Sequence, residues 1–187
     1  MTTGNGTRAA GIRCIAALGI ILAQSSHEAS AASSRTAFID RHRCAILTRL
    51  ERIHQRGPVT TSRDRFIIVA LQHSPQSYVQ CIFFDNDTKM RCEASSGAFR
   101  YRPEDPVELG LSPDSLTTLL GLGFTRARPA ENYSREVAIG TPPDLASVAE
   151  LILTTLHDVY RADTTHRLSV MAPKADPMTD TCAEPSA

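Results

Sequence analysis

The feature that most constrains this chain is "YVQCIFFDNDTKMRCEA", residues 78–94, in which two stretches rich in β-branched and aromatic residues flank the polar turn "DNDT". That pattern describes a β-hairpin. A turn centred on Asn86 and Asp87 sets its register. Phe84 then faces Lys89, Phe83 faces Met90, Ile82 faces Arg91, Cys81 faces Cys92, Gln80 faces Glu93 and Val79 faces Ala94. Side chains alternate along a strand, so Val79, Cys81, Phe83, Met90, Cys92 and Ala94 share one face. This face is apolar and belongs against helices. The opposite face carries Tyr78, Gln80, Ile82, Phe84, Arg91 and Glu93, a mixture of apolar and charged groups.

The same register makes Cys81 and Cys92 neighbours in the core. Directly opposed Cα atoms lie about 4.5–5.5 Å apart, within the span a disulfide accepts. Two reduced cysteines acting as small buried hydrophobes satisfy the pattern equally well. A metal site fits poorly, because zinc needs three or four ligands and no CxxC or HxxxH spacing accompanies the pair. His73 is a lone histidine near a strand end.

The choice between bridge and free thiols turns on the compartment. Arg8 and Arg13 precede the apolar run "CIAALGIILA", followed by "QSSHE" and then by Ala29, Ser30 and Ala31. A basic segment, an apolar segment and small residues in that order form a secretory signal. The apolar run is too short to cross a bilayer as a helix, which needs about 20 residues. The expectation is a signal peptide over residues 1–31 and an exported protein, periplasmic or secreted; the alternative is a buried or membrane-surface helix. Cleavage removes Cys14 and leaves Cys44, Cys81, Cys92 and Cys182, which allow three full pairings.

Beyond the leader the pattern predicts a domain over residues 34–162. Ile39, Ile46, Leu50 and Ile53 form one stripe of a helix from about Ser34 to Arg56, stopped by Gly57 and Pro58. Arg41, Arg43, Arg49 and Arg52 lie largely off that stripe, interspersed with Asp40 and Glu51, as on a solvated helix face. "FIIVAL", residues 66–71, is a continuous apolar run and suggests a strand buried on both faces or central in a sheet. After the hairpin comes a polar loop, Gly97 to Gly110. Ser112 and Pro113 then open a helix in which Leu116, Leu119 and Leu120 face one side, ended by Gly121 and Gly123. Tyr133 to Ile139 alternates as a strand. A last helix begins at Thr141 and carries Leu145, Val148, Leu151, Ile152, Leu153, Leu156 and Val159, a stripe broad enough to suit burial or a dimer interface. Residues 163–187 lack periodicity and read as a disordered tail. The order predicts an α+β fold, α-β-β-β-α-β-α, with an antiparallel sheet of about four to five strands and helices on one face.

Equal numbers of basic and acidic residues, 20 of each, and the absence of tryptophan argue against a nucleic-acid partner. No Gly-rich phosphate loop, GxSxG or HExxH is present, so no catalytic residue, cofactor or metal ligand is assigned. His157 precedes Asp158 directly, but adjacent helical positions do not face each other. Cys182, in the tail, lacks a positioned base.

In order, "YVQC", "RCEASSG", "LSPDSLTTLLGLGF" and "ENYSREV" resemble the motifs of bacterial type III secretion chaperone-like domains, in the YbjN-like and TY-Chap group. The matching residues are Tyr78, Val79, Gln80, Glu93, Ser96, Leu111, Ser112, Leu122, Gly123, Phe124, Asn132 and Tyr133, and the resemblance spans about Ala37 to Arg161. It implies an α+β sandwich that commonly dimerises and binds extended segments of other proteins. An export signal departs from that family's cytoplasmic role. The expected function is therefore an exported, non-enzymatic, protein-binding or chaperone-like domain whose contact face is Tyr78, Gln80, Ile82, Phe84, Arg91 and Glu93. A small exported enzyme and a purely structural homodimer are the alternatives.

Overall fold

The computed structural model describes residues 18–56, 64–97, 110–128, 131–173 and 182. The chain divides into two units, residues 1–33 and residues 34–187. The described part of the first is helical; all that follows concerns the second. The elements are α1 (Leu18–Gln55), β1 (Phe66–Leu71), β2 (Ser74–Phe84), β3 (Lys89–Ala94), α2 (Pro113–Gly121), β4 (Tyr133–Ala138), α3 (Leu145–Asp158) and β5 (Leu168–Met171). The strands form one antiparallel sheet in the order β4-β3-β2-β1-β5. The expected α+β class and element order are observed, with β5 added at the end.

The β2–β3 register is the one the turn dictates, from Val79 opposite Ala94 through Cys81 opposite Cys92 to Phe84 opposite Lys89. The turn works because Asp85, Asn86 and Asp87 all adopt the left-handed conformation, with φ of 55°, 53° and 64°. Asx residues tolerate that region best among side chains with a Cβ. The Thr88 N–H closes the loop on the Asp85 carbonyl at 3.2 Å. Asp87 also pairs with the buried guanidinium of Arg65, which lies over the Phe83 ring, 5.2 Å from its centroid.

The core lies between the inner face of the sheet and the helices. Ile67 and Val69 of β1, with Val79, Cys81, Phe83, Met90, Cys92 and Ala94 of the hairpin, meet Phe38, Ile46, Leu50 and Ile53 of α1 and Val148, Ile152 and Leu156 of α3, all buried. In α2, Ser112 is the N-cap as its position predicts, accepting from the Ser115 N–H at 3.1 Å. Leu119 is buried, but Leu120 is exposed. Its expected place on the inner side is taken by Ser115, whose hydroxyl donates to the Val159 carbonyl at 2.8 Å and fastens α2 to the end of α3. The last helix starts later than the proline pattern suggested: Asp144, not Thr141, is its N-cap and accepts from the Ser147 N–H at 3.0 Å.

Two boundaries differ more. Helix α1 begins at Leu18 rather than near Ser34, so residues 18–33 of the expected leader and its flank share its helical backbone. Residues 1–17 lie outside the described part, as do 98–109 of the expected polar loop. The segment expected as a disordered tail is ordered at its start. Residues 168–171 form β5 and pair with β1 from Leu71 opposite Leu168 to Ile68 opposite Met171. The sequence is too short and too mixed there to show a strand; the open backbone edge of β1 supplies the partner. Among the described residues, no helix is long and apolar enough to cross a membrane.

Candidate functional site

All six residues of the expected contact face lie on the outer side of β2 and β3. They are not a random mixture, because cross-strand neighbours pair. Gln80 Nε2 donates to Glu93 Oε2 at 2.7 Å. Arg91 donates to Glu136 Oε1 of β4 at 3.0 Å, both groups about half exposed. Phe84 is flanked by two cations, Arg91 and Lys89, at 5.7 and 5.9 Å from its ring centroid. Lys89 also pairs with Asp85 at 2.8 Å; that hydrogen bond, then the Asp85 charge, raises its pKa above the ordinary lysine value.

At one end of the face the motif residues form a hydrogen-bonded knot. Asn132 Nδ2 donates to the Tyr78 hydroxyl at 2.9 Å, and its Oδ1 accepts from the Ser96 N–H at 3.2 Å. The Tyr160 hydroxyl donates to the Ser95 carbonyl at 2.7 Å, while the Ser95 N–H donates to the Tyr78 carbonyl. Burial, and secondarily the nearby Tyr78, pushes the Tyr160 hydroxyl pKa well above the usual tyrosine range. This knot holds the strand ends and the chain leaving α3 in one place.

The open face is wider than the sequence suggested. Ladder pairing sets Phe66 beside Ile82, Ile68 beside Gln80 and Ala70 beside Tyr78, and Met171 lies opposite Ile68 at 57% exposure. Phe66, Ile68 and Ala70 are half-buried and only Ile67, Val69 and Leu71 enter the core, so of the two readings of the unbroken apolar run the central one holds: β1 lies between β2 and β5. An apolar strip of Phe66, Ile68, Ile82 and Phe84 thus runs beside a polar lattice of Gln80, Glu93, Arg91 and Glu136. Only a burial difference separates the two sides of β1, and "FIIVAL" contains no polar residue that could have signalled it.

The cysteines form two bridges, Cys81–Cys92 and Cys44–Cys182. The first has its Cα atoms 4.0 Å apart and both side chains fully buried on the inner face, so it fastens the hairpin. The second ties the C-terminal segment to α1. Of the three full pairings this is the one in which the directly opposed hairpin cysteines are joined.

A Ser–His–Asp arrangement also appears. His157 Nδ1 lies 2.6 Å from Asp158 Oδ1, His157 Nε2 lies 3.4 Å from the Ser34 hydroxyl, and Asp158 pairs with Arg35 at 3.3 Å. The expectation that His157 and Asp158 do not meet is therefore corrected: at the C-terminal end of α3 the two side chains meet each other and contact Ser34 and Arg35 of α1. Ser34 lies within α1, where backbone N–H groups are committed to the helix. The cluster pins α1 to α3. Among the described residues, no group of three or more His, Cys, Asp and Glu side chains is placed to hold a metal ion.

Among the described residues, one face of the sheet is closed by helices and the other is lined by paired polar groups and half-buried apolar ones, which defines an α+β domain with a single antiparallel sheet. Residues 45–174 match the family described as T3SS (YopN, CesT) and YbjN peptide-binding chaperone 3, TY-Chap3, and the chain belongs to that family. The match includes β5, which is thus part of the domain. No curated protein and no solved structure matches the chain.

Proposed function

We propose that this protein is an exported, non-enzymatic, peptide-binding chaperone-like domain that holds an extended segment of another protein against its open sheet face. Family membership supports the peptide-binding part of this reading. The observation that carries the surface is the continuous strip of Phe66, Ile68, Ile82 and Phe84 alongside Gln80, Glu93 and Arg91. An extended peptide alternates its side chains as a strand does, so apolar residues can lie on the strip while its polar groups meet the lattice. Exposed apolar groups arranged contiguously mark contact surfaces.

Export is supported by the signal-like leader and by two disulfides, which persist in oxidising compartments. A second copy of the chain is the other occupant that suits this face, since a self-complementary patch builds a two-fold dimer.

The surface is tested by selecting peptides on the wild-type protein from a random displayed library and measuring their affinity for Ile82→Asp and Phe84→Ser. Each substitution should weaken binding at least about tenfold, roughly 1.4 kcal/mol. Unchanged affinity in both variants rules the face out. Intact mass of the exported protein, with and without reductant and alkylation, tests cleavage after Ala31 together with both bridges. Light scattering at several concentrations tests the dimer.

A further inference from the structure

We propose that the outer edge of β1 is an acceptor site for an extended peptide strand, that β5 is its built-in occupant, and that the Cys44–Cys182 disulfide controls whether the occupant can be exchanged. This rests on the peptide-binding reading and adds a second surface to it, a sheet edge rather than a sheet face.

The edge is constructed for a strand. The Gln72 N–H donates to the Arg167 carbonyl at 3.0 Å. Hydrogen-bonding groups alternate along an antiparallel ladder, so Ala70 and Ile68 also turn their backbone groups toward β5, opposite Ser169 and Met171. The other backbone groups of β1 face β2, and its Ile67, Val69 and Leu71 side chains are buried. Strand β1 is therefore fixed, and its outer edge must be paired with something.

The occupant is held weakly by comparison. Strand β5 is four residues long. Leu168 and Val170 pack against the core but remain only partly buried, and Ser169 and Met171 are exposed. Backbone pairing, more than side-chain burial, keeps it in place, which puts it at the low-stability end of local opening. Its upstream flank is anchored by buried Ala162, whose N–H donates to the Leu156 carbonyl at 3.0 Å, and by a turn in which Asp163 accepts from Thr165 and contacts His166. Its downstream flank is anchored by Cys182 on α1. With both flanks fastened, the strand cannot swing away from the edge. With the bridge open, the covalent tie on the downstream side is gone. A groove of about 930 Å³ beside β5, lined by Arg49, His166, Arg167, Val170 and both bridge cysteines, leaves room for that movement.

Accessibility separates the two bridges. Cys44 is exposed, whereas Cys81 and Cys92 are fully buried, so a dithiol reductant reaches Cys44–Cys182 first. A thiolate of the reductant attacks the Cys44 sulfur, and the Cys44–Cys182 bond breaks. Cys182 leaves as a thiolate and takes a proton. The second thiol of the reductant then attacks the reductant sulfur of the mixed disulfide and releases Cys44 as a thiol. Two electrons pass to the bridge, and the reductant ends as a disulfide.

The test uses the full chain and a fluorescein-labelled synthetic peptide of residues 164–173, which carries the β5 register by construction. Oxidised wild type, mildly reduced wild type, Cys182→Ser and Cys44→Ser are compared by fluorescence anisotropy. Alkylation and mass analysis confirm that Cys81–Cys92 stays closed. The three open forms should bind the peptide at least tenfold more tightly than the oxidised protein. Amide hydrogen exchange at Ile68, Ala70 and residues 168–171 should quicken in the same three forms. Equal affinity in all four forms, or faster exchange without peptide uptake, overturns the proposal. Adding Ile82→Asp to Cys182→Ser should leave uptake of this strand peptide unchanged while abolishing peptides selected on the sheet face. Failure of the edge and failure of the face therefore give different results.

Discussion

The two faces of the β2–β3 hairpin are made from alternate residues of the same two strands, yet they are held by different physics. On the inner face Val79, Cys81, Phe83, Met90, Cys92 and Ala94 are at most 2% exposed and touch helices. On the outer face Gln80, Ile82, Phe84, Arg91 and Glu93 meet each other across strands and remain accessible. Hydrophobic burial makes the first face a determinant of folding. The second contributes little to folding, because exposed ion pairs and half-buried apolar groups stabilise weakly; it is the face proposed above for peptide contact. Substitutions should separate the two functions cleanly.

The largest effect should come from the inner face. Phe83→Ala removes a fully packed ring and should cost about 3–5 kcal/mol in urea denaturation; a loss below about 1 kcal/mol would show that this face is not core. Next, Asp87→Ala leaves the Arg65 guanidinium buried without its carboxylate. Uncompensated buried charges cost about 3–5 kcal/mol, and a lower melting temperature with the expected hairpin disulfide still formed would locate the loss at the turn. Tyr160→Phe, at the sheet's end, deletes one hydrogen bond to the Ser95 carbonyl and should cost about 1 kcal/mol. Because burial raises the Tyr160 pKa, its contribution is full below about pH 10, the unfolded value, and is lost as pH rises beyond it. Stability of the wild type should fall more steeply above that pH than stability of Tyr160→Phe. The smallest effect on stability belongs to the outer face. Arg91→Ala breaks a half-exposed pair with Glu136 and should change stability by about 0–1 kcal/mol while weakening peptide binding measurably. A large destabilisation there would erase the distinction between the faces.

Much of this comparison was legible in the residues. The "DNDT" turn sets the register because three Asx residues accept left-handed backbone, and period-2 alternation then sorts every side chain by face. The Ser112 cap and the stripe of α1 were legible for the same reason: a local rule governs each. What was not legible depends on partners distant in sequence. The half-exposed side of β1 carries the same apolar residues as its buried side, so only the placement of the helices distinguishes them. Strand β5 exists because β1 offers an edge, and Leu120 is exposed because the Ser115–Val159 hydrogen bond turns α2. The meeting of His157 with Asp158 likewise requires Arg35 and Ser34 from α1. The six residues expected on one side of the hairpin do share that side, and Phe66, Ile68 and Ala70 of β1, a strand distant from the hairpin register, continue it.

The Cys44–Cys182 bridge has one more consequence, for the chain as an object that proteases encounter. Every peptide bond from residue 44 to residue 182 lies in the loop that this bridge closes. A single cut within that loop opens the backbone without releasing a piece, because the two fragments stay joined through the sulfurs. Nicked protein should therefore run as a single species on a non-reducing gel and separate into fragments only after reductant. In a protease-rich environment the molecule would lose continuity of its backbone well before it lost its parts.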